Sequence, residues 1–202
     1  MRKLFALLLF WLSVLQLSAW KEQGTTTIYP RVGFNLSKFS GDKIYTGIGF
    51  LGDNTSTIPA RFKVGFSAGA EVQHQFSNAL AGSIGLLYSQ QGTAFKKTSD
   101  TEFDFKIKEN NLIVPVMLVA TTKYNIDLKL GLQPEFRVSK AFDKVLNKVS
   151  LSIPVGISYE YRNVVLDLRY NIGVSHVYKE QSPYNASRGQ TVMLTLGYGF
   201  DL

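Results

Sequence analysis

Residues 61–76 read RFKVGFSAGAEVQHQF and alternate with a period of two over their whole length. Phe62, Val64, Phe66, Ala68, Ala70, Val72 and Phe76 fall on one face, interrupted by His74. Arg61, Lys63, Gly65, Ser67, Gly69, Glu71, Gln73 and Gln75 fall on the other. Successive side chains of a strand point to opposite sides, so this pattern describes a strand whose two faces meet different surroundings. Strands in soluble sheets average about five or six residues, and this one is far longer. A tilted strand needs about 9–11 residues to cross a bilayer. The stretch is long enough to span and to project beyond the lipid.

The same alternation returns seven more times. Residues 28–39 set Val32, Phe34 and Leu36 against Arg31, Gly33, Asn35 and Ser37, and residues 79–91 set Leu80, Ile84, Leu86 and Tyr88 against Ala81, Ser83, Gly85 and Ser89. Residues 126–137, 149–161, 164–177 and 189–200 follow the rule, with Leu128/Leu130, Ile153/Val155, Leu166/Leu168 and Leu194/Leu196 on the apolar faces. The fourth stretch, 103–120, breaks it. Its apolar residues are odd-numbered from Phe103 to Ile107, whereas both faces are apolar over 112–118. A β-bulge near Asn110 and Asn111 is expected to switch the parity there. Pro115 and Pro154 each remove a ladder donor inside a strand, so a local irregularity is expected at each.

Connection lengths then fix the architecture. Short ones lie at Ser77-Asn78, at 121–125 and at Arg162-Asn163; long ones lie at 40–60, 93–102, 138–148 and 178–188. Short turns on one rim and long loops on the other are the pattern of outer-membrane barrels, with the turns periplasmic. The expectation is an all-β fold: an eight-stranded antiparallel up-and-down transmembrane β-barrel with both termini on the periplasmic side and the long loops outside. Two further features separate it from a soluble sandwich. Aromatics gather near strand ends, with Phe76, Tyr161, Tyr198 and Phe200 at the short-turn rim and Phe62, Phe103 and Phe136 at the other, as interfacial girdles do. Glycines 33, 65, 69, 85, 131, 156, 173, 197 and 199 sit on the polar face, which suits a narrow, strongly curved interior.

The N-terminus reads as a separate object. Arg2 and Lys3 precede an apolar run over 4–17, and Ser18-Ala19 supplies small residues for cleavage. The run is short for a spanning helix and fits a secretory signal peptide over 1–19, with the barrel domain at 20–202. Loss of Arg2 and Lys3 takes the net charge from +7 to +5, spread along the chain rather than clustered, so nucleic acid is not an expected partner. There is no cysteine, which excludes a lipidated N-terminal cysteine, disulfides and thiolate sites. A mean hydropathy of +0.02 excludes a bundle of membrane helices and leaves a barrel open, since barrel strands interleave polar and apolar residues.

Val32-Gly33-Phe34-Asn35-Leu36-Ser37 followed by Phe39-Ser40-Gly41 resembles the first strand of the PorT-like outer-membrane β-barrel family. Leu112-Ile113-Val114-Pro115-Val116 and Leu151-Ser152-Ile153-Pro154-Val155-Gly156 resemble its proline-bearing strands, and Thr195-Leu196-Gly197-Tyr198-Gly199-Phe200 its aromatic C-terminal strand. The resemblance covers nearly all of residues 24–202. It implies a barrel in the outer membrane of a Gram-negative bacterium and raises a role beside protein export.

No catalytic, cofactor or metal site is expected. His74 and His176 lie near strand ends on the apolar parity and read as interfacial residues; neither has metal-ligand spacing or an orienting carboxylate. Gly47-Ile48-Gly49 is too short for a phosphate loop. Asp100, Glu102 and Asp104 stand among Lys96, Lys97, Lys106 and Lys108 and read as a charge-mixed hairpin rather than a calcium site. More informative are the charges of inward parity: Arg31, Arg61, Lys63, Glu71, Lys106, Asp127, Lys129, Glu135, Arg137, Glu160, Asp167 and Arg169. An eight-stranded barrel has room only for side chains, so these groups must pair and plug the lumen. Two functions follow as expectations: a structural or interaction role, in contact with outer-membrane lipid and with envelope proteins through loops 40–60, 93–102, 138–148 and 178–188, or a narrow channel or small-solute transporter. The 40–60 loop, with Tyr45, Phe50, Asp53-Asn54 and Ile58-Pro59, is the expected contact surface.

Overall fold

The computed structural model describes residues 22–40, 43–45, 57–59, 61–95, 105–139, 147–176 and 188–202. Eight strands follow the sequence in order: β1 (Thr26–Ser40), β2 (Lys63–Ser77), β3 (Leu80–Phe95), β4 (Phe105–Ile113 continued by Val116–Thr121), β5 (Ile126–Arg137), β6 (Val149–Tyr161), β7 (Val164–His176) and β8 (Arg188–Tyr198 continued by Phe200–Asp201). Each pairs antiparallel with the next, and β8 returns to pair with β1, so the sheet closes. Outside the wall, Lys43–Tyr45 pairs with Thr57–Pro59 as a short ribbon.

The register fixes the barrel's shape. From Thr27 the paired residues run through Gln73, Ser83 and Met117 to Gly131. The unshifted β5–β6 register carries the path to Pro154, and from there it passes Asn171 and Thr191 to Ser37, ten residues further along β1. Eight strands with that stagger tilt by roughly 35–45° and leave an interior that side chains fill. Two glycines show how tightly the wall bends. A Cβ at Gly33 would strike the Leu194 carbonyl of β8, and one at Gly69 the Leu86 carbonyl of β3. The short turns are made at 78–79, 122–125 and 162–163, where Asn125 and Arg162 adopt positive φ of 59° and 56°. That left-handed backbone matches the twist of the strands entering a tight hairpin.

Burial is inverted relative to a soluble protein. Phe34 on the outer face is 67% exposed, whereas Asp167 on the inner face is 0% exposed. Val32, Leu86, Leu132, Leu168, Leu194 and Leu196 form an apolar belt, with Phe76, Tyr161, Tyr198 and Phe200 exposed below it and Phe62 and Phe136 above. Phe103 lies outside the described residues. A belt that encircles the molecule far exceeds the few hundred Å² that a soluble protein leaves bare, and it requires lipid.

The fourth strand corrects the expectation of a bulge. The pairs Leu87–Ile113 and Ile84–Val116 on one side, and Ile113–Glu135 and Val116–Leu132 on the other, keep one register through Val114–Pro115. Odd-numbered residues face inward throughout: Glu109, Asn111, Ile113, Met117, Val119 and Thr121 are all buried. Both faces are apolar because the lumen packs its own apolar residues there, not because the parity changes. Position 106 therefore shares the parity of exposed Lys108, not that of the inward charges; the Lys106 side chain lies outside the described residues. The prolines behave as expected. Pro115 interrupts the strand while its carbonyl accepts the Gly85 N–H at 2.9 Å. Opposite Pro154 the β5–β6 ladder skips from Leu130–Val155 to Gln133–Ser152 without losing register.

Leu194 pairs with Phe34 and Leu168, midway between the aromatic belts. Leu194→Lys is expected to lower stability by about 2–4 kcal/mol, and Tyr198→Lys near the rim by about 0–1 kcal/mol. Urea unfolding in lipid vesicles measures both; equal costs would mean that the belt does not lie in the bilayer.

Candidate functional site

The described part of the interior is layered. Near the short-turn rim, Asp127 accepts from Thr121 Oγ1 at 2.8 Å and Ser158 Oγ at 3.0 Å, and Tyr29 donates to Glu160 at 3.2 Å. The Arg31 guanidinium lies over the Tyr29 ring at 5.3 Å and links this layer to the next.

Above it is a cluster of five charges from four strands. Arg169 of β7 grips Glu71 of β2 through both terminal nitrogens, Nη2 at 2.7 Å, and Asp167 through Nε at 2.6 Å. Arg31 of β1 approaches Glu71 at 3.3 Å and Asp167 at 3.1 Å. Lys129 of β5 meets Asp167 at 2.6 Å. All five side chains are at most 2% exposed. Three cations face two anions, and Asp127 acts on Lys129 from the layer below, which brings the group to neutrality. The arrangement follows from the stagger, which brings position 31 of β1, 71 of β2, 129 of β5 and 167 and 169 of β7 to neighbouring heights. In this narrow interior each charge needs a partner.

Leu87, Ile113 and Met193 form a small apolar disc over the cluster, each no more than 1% exposed. Beyond the disc, toward the rim of the long connections, lies a small polar cup of about 40 Å³. It is lined by Phe39, Gln91, Glu109, Asn111, Glu135, Arg137, Ser152, Asn171 and Thr191, among others. Glu135 accepts from Ser152 Oγ at 2.7 Å and from Gln133 Nε2 at 3.0 Å.

Of the inward charges read from the sequence, Arg31, Glu71, Lys129, Asp167 and Arg169 come together, and Asp127 and Glu160 lie below them. Glu135 and Arg137 line the cup, while Arg61 at the rim is exposed. Glu109 faces inward as well, which the expected bulge had hidden. The histidines sit at opposite ends of the barrel. His74 is exposed on β2, its Nδ1 2.8 Å from Thr26 Oγ1 and its ring edge-on to Phe76, while exposed His176 ends β7. Asp100, Glu102, Asp104 and Gly47–Gly49 lie outside the described residues.

The family described as outer membrane protein beta-barrel domain matches residues 21–179. No curated protein matches the chain. Among solved structures, the chain is similar to the outer membrane protein Ail of Yersinia pestis in a phospholipid bilayer nanodisc, at 20% identity over 88% of this chain and 100% of that chain, with a TM-score of 0.47. Neisserial surface protein A is similar at 17% identity, over 85% of this chain and 95% of that chain, with a TM-score of 0.46. For OprG from Pseudomonas aeruginosa the figures are 11% identity, 92% and 99% coverage and a TM-score of 0.45.

Glu71→Ala would leave Arg31 and Arg169 buried with one carboxylate lost, and is expected to destabilise the barrel by about 3–5 kcal/mol. Thr195→Val removes a buried hydroxyl that has no hydrogen-bond partner and is expected to be neutral or stabilising. Urea titration read by heat-modifiable gel mobility compares the two; equal effects would mean that the charge cluster does not hold the wall.

Proposed function

The chain belongs to the outer-membrane protein β-barrel domain family, and on that premise we propose that this outer-membrane protein is a closed, non-catalytic display barrel that works through its long connections. The observation that carries the reading is the filled lumen. A mutually bonded charge cluster under an apolar disc offers no continuous water path, and its charges are committed to one another. What remains free to act on other molecules is the rim of long connections, 40–60, 93–102, 138–148 and 178–188. Rigid scaffolds commonly carry function on such loops. Their partners in this reading are envelope proteins, including those of an export complex, with lipid covering the belt. The quoted first-strand and C-terminal patterns support a place among the PorT-like members of the family. The leader over 1–19 is removed on export, the termini and short turns face the periplasm, and the long connections face outward.

Absence of native cysteine makes the orientation directly testable. With a membrane-impermeant maleimide on intact cells, Asp53→Cys is expected to label at once and Arg162→Cys only after permeabilisation. The reverse pattern would invert the topology. Deletion of residues 46–56 is expected to leave a heat-modifiable barrel that has lost its cellular phenotype; a variant that assembles and keeps every phenotype would remove the loop from the function.

A further inference from the structure

Lys38 of β1, Arg188 of β8 and His176 of β7 stand on the outward face of the wall at the rim of the long connections. The register sets them together. Lys38 pairs with Gln190 and Ser40 with Arg188, so the two cations lie diagonally across one ladder, roughly 7–8 Å apart. His176 pairs directly with Arg188. Arg188 and His176 are exposed, and Lys38 is half-buried with its Nζ 4.7 Å from the centre of the Phe62 ring.

No carboxylate answers this cluster among the described residues. The described acids face the bore, apart from Glu22 and Asp201 at the short-turn end. The short-turn rim is built differently. Lys123 and Arg162 stand singly on two turns, each over a neighbouring ring, Tyr124 at 5.1 Å and Tyr161 at 5.5 Å.

Immediately below the cluster, Leu36, Val192 and Tyr170 pair in a row across the same three strands and begin the lipid-facing belt. A ligand that meets both surfaces is anionic at one end and apolar at the other. A soluble anion would gain only the head contact, and charges this exposed are weakened by salt. A lipid already lies against the belt, so its headgroup is held at the height of the cations without further ordering. Arginine's fork grips phosphate oxygens two at a time, and lysine adds a point charge. We propose that the face formed by Lys38, Arg188 and His176 binds the phosphate of an anionic lipid whose chains lie on Leu36, Val192 and Tyr170. The inference rests on the lipid-covered belt and is independent of which way the barrel faces.

Trp11 and Trp20 are the two tryptophans of the chain, so their replacement by Phe allows a single reporter at a chosen height. Leu36→Trp places it two residues below Lys38, and Phe76→Trp places it at the short-turn rim. The full chain is folded into phosphatidylcholine vesicles of symmetric composition. Quenching by brominated phosphatidylglycerol is then compared with quenching by brominated phosphatidylcholine. At Leu36→Trp the anionic lipid is expected to be favoured about fivefold, the worth of one cation at such a surface. Lys38→Gln combined with Arg188→Gln is expected to remove that preference and to leave quenching at Phe76→Trp unchanged. Heat-modifiable mobility establishes that each variant is folded. Equal quenching by the two lipids at Leu36→Trp, or a preference that survives in the folded double variant, would overturn the site. An equal fall at both reporters would overturn it too, because it would show an effect of overall charge. A reversed maleimide pattern would move the site to the other leaflet without altering these ratios, so the two failures are distinguishable.

Discussion

A sheet closed by eight strands in lipid must pair the backbone groups of its wall and the charges of its bore. The wall is solved by closure, since β8 returns to β1 and leaves no strand edge. The bore is solved by the pairing of Arg31, Glu71, Lys129, Asp167 and Arg169, five charges each no more than 2% exposed. The two solutions are coupled. The ten-residue stagger that closes the wall also decides which inward side chains share a height, and so which charges can meet. Cations from β1, β5 and β7 converge on carboxylates from β2 and β7. Displacement of β1, β2, β5 or β7 would break an ion pair as well as a ladder, so the bore stiffens the wall that creates it.

Much of this is legible in the sequence. The alternation of 61–76 and its seven repeats locates every strand to within a few residues, because two faces in different solvents leave a period that composition cannot disguise. The list of inward charges contains all five members of the cluster. Their mutual contacts were not legible, since partners such as Arg169 and Glu71 lie 98 positions apart and meet only through the stagger. The fourth strand departs from its expected bulge for a physical reason. The expectation of a bulge takes the inward face as polar throughout, whereas the bore packs Leu87, Ile113 and Met193 together and buries Met117 and Val119 further along β4. A strand passing such a layer is apolar on both sides and mimics a change of parity. The same expectation hides the inward placement of Glu109 and Asn111. The cup was invisible for a related reason. Asn171 belongs to an unremarkable alternating strand, and the cavity it lines exists only through the closure that brings other strands to its height.

The two halves of the bore therefore differ in kind. Toward the short turns, ionic and hydroxyl groups satisfy one another, as Asp127 does with Thr121 and Ser158. Toward the long connections, the bore holds a small polar cavity lined by Glu109, Asn111, Glu135 and Asn171, among others. Such a division suits a protein whose lower half supplies rigidity and whose upper rim carries the long connections.

Single-channel recording in planar bilayers tests the closed bore most directly. The charge cluster and the disc above it predict no steady conductance for the unaltered protein. Steady currents that change in Arg31→Ala or Glu71→Ala would contradict the account, because they would show ions passing through the layer that is held here to be sealed.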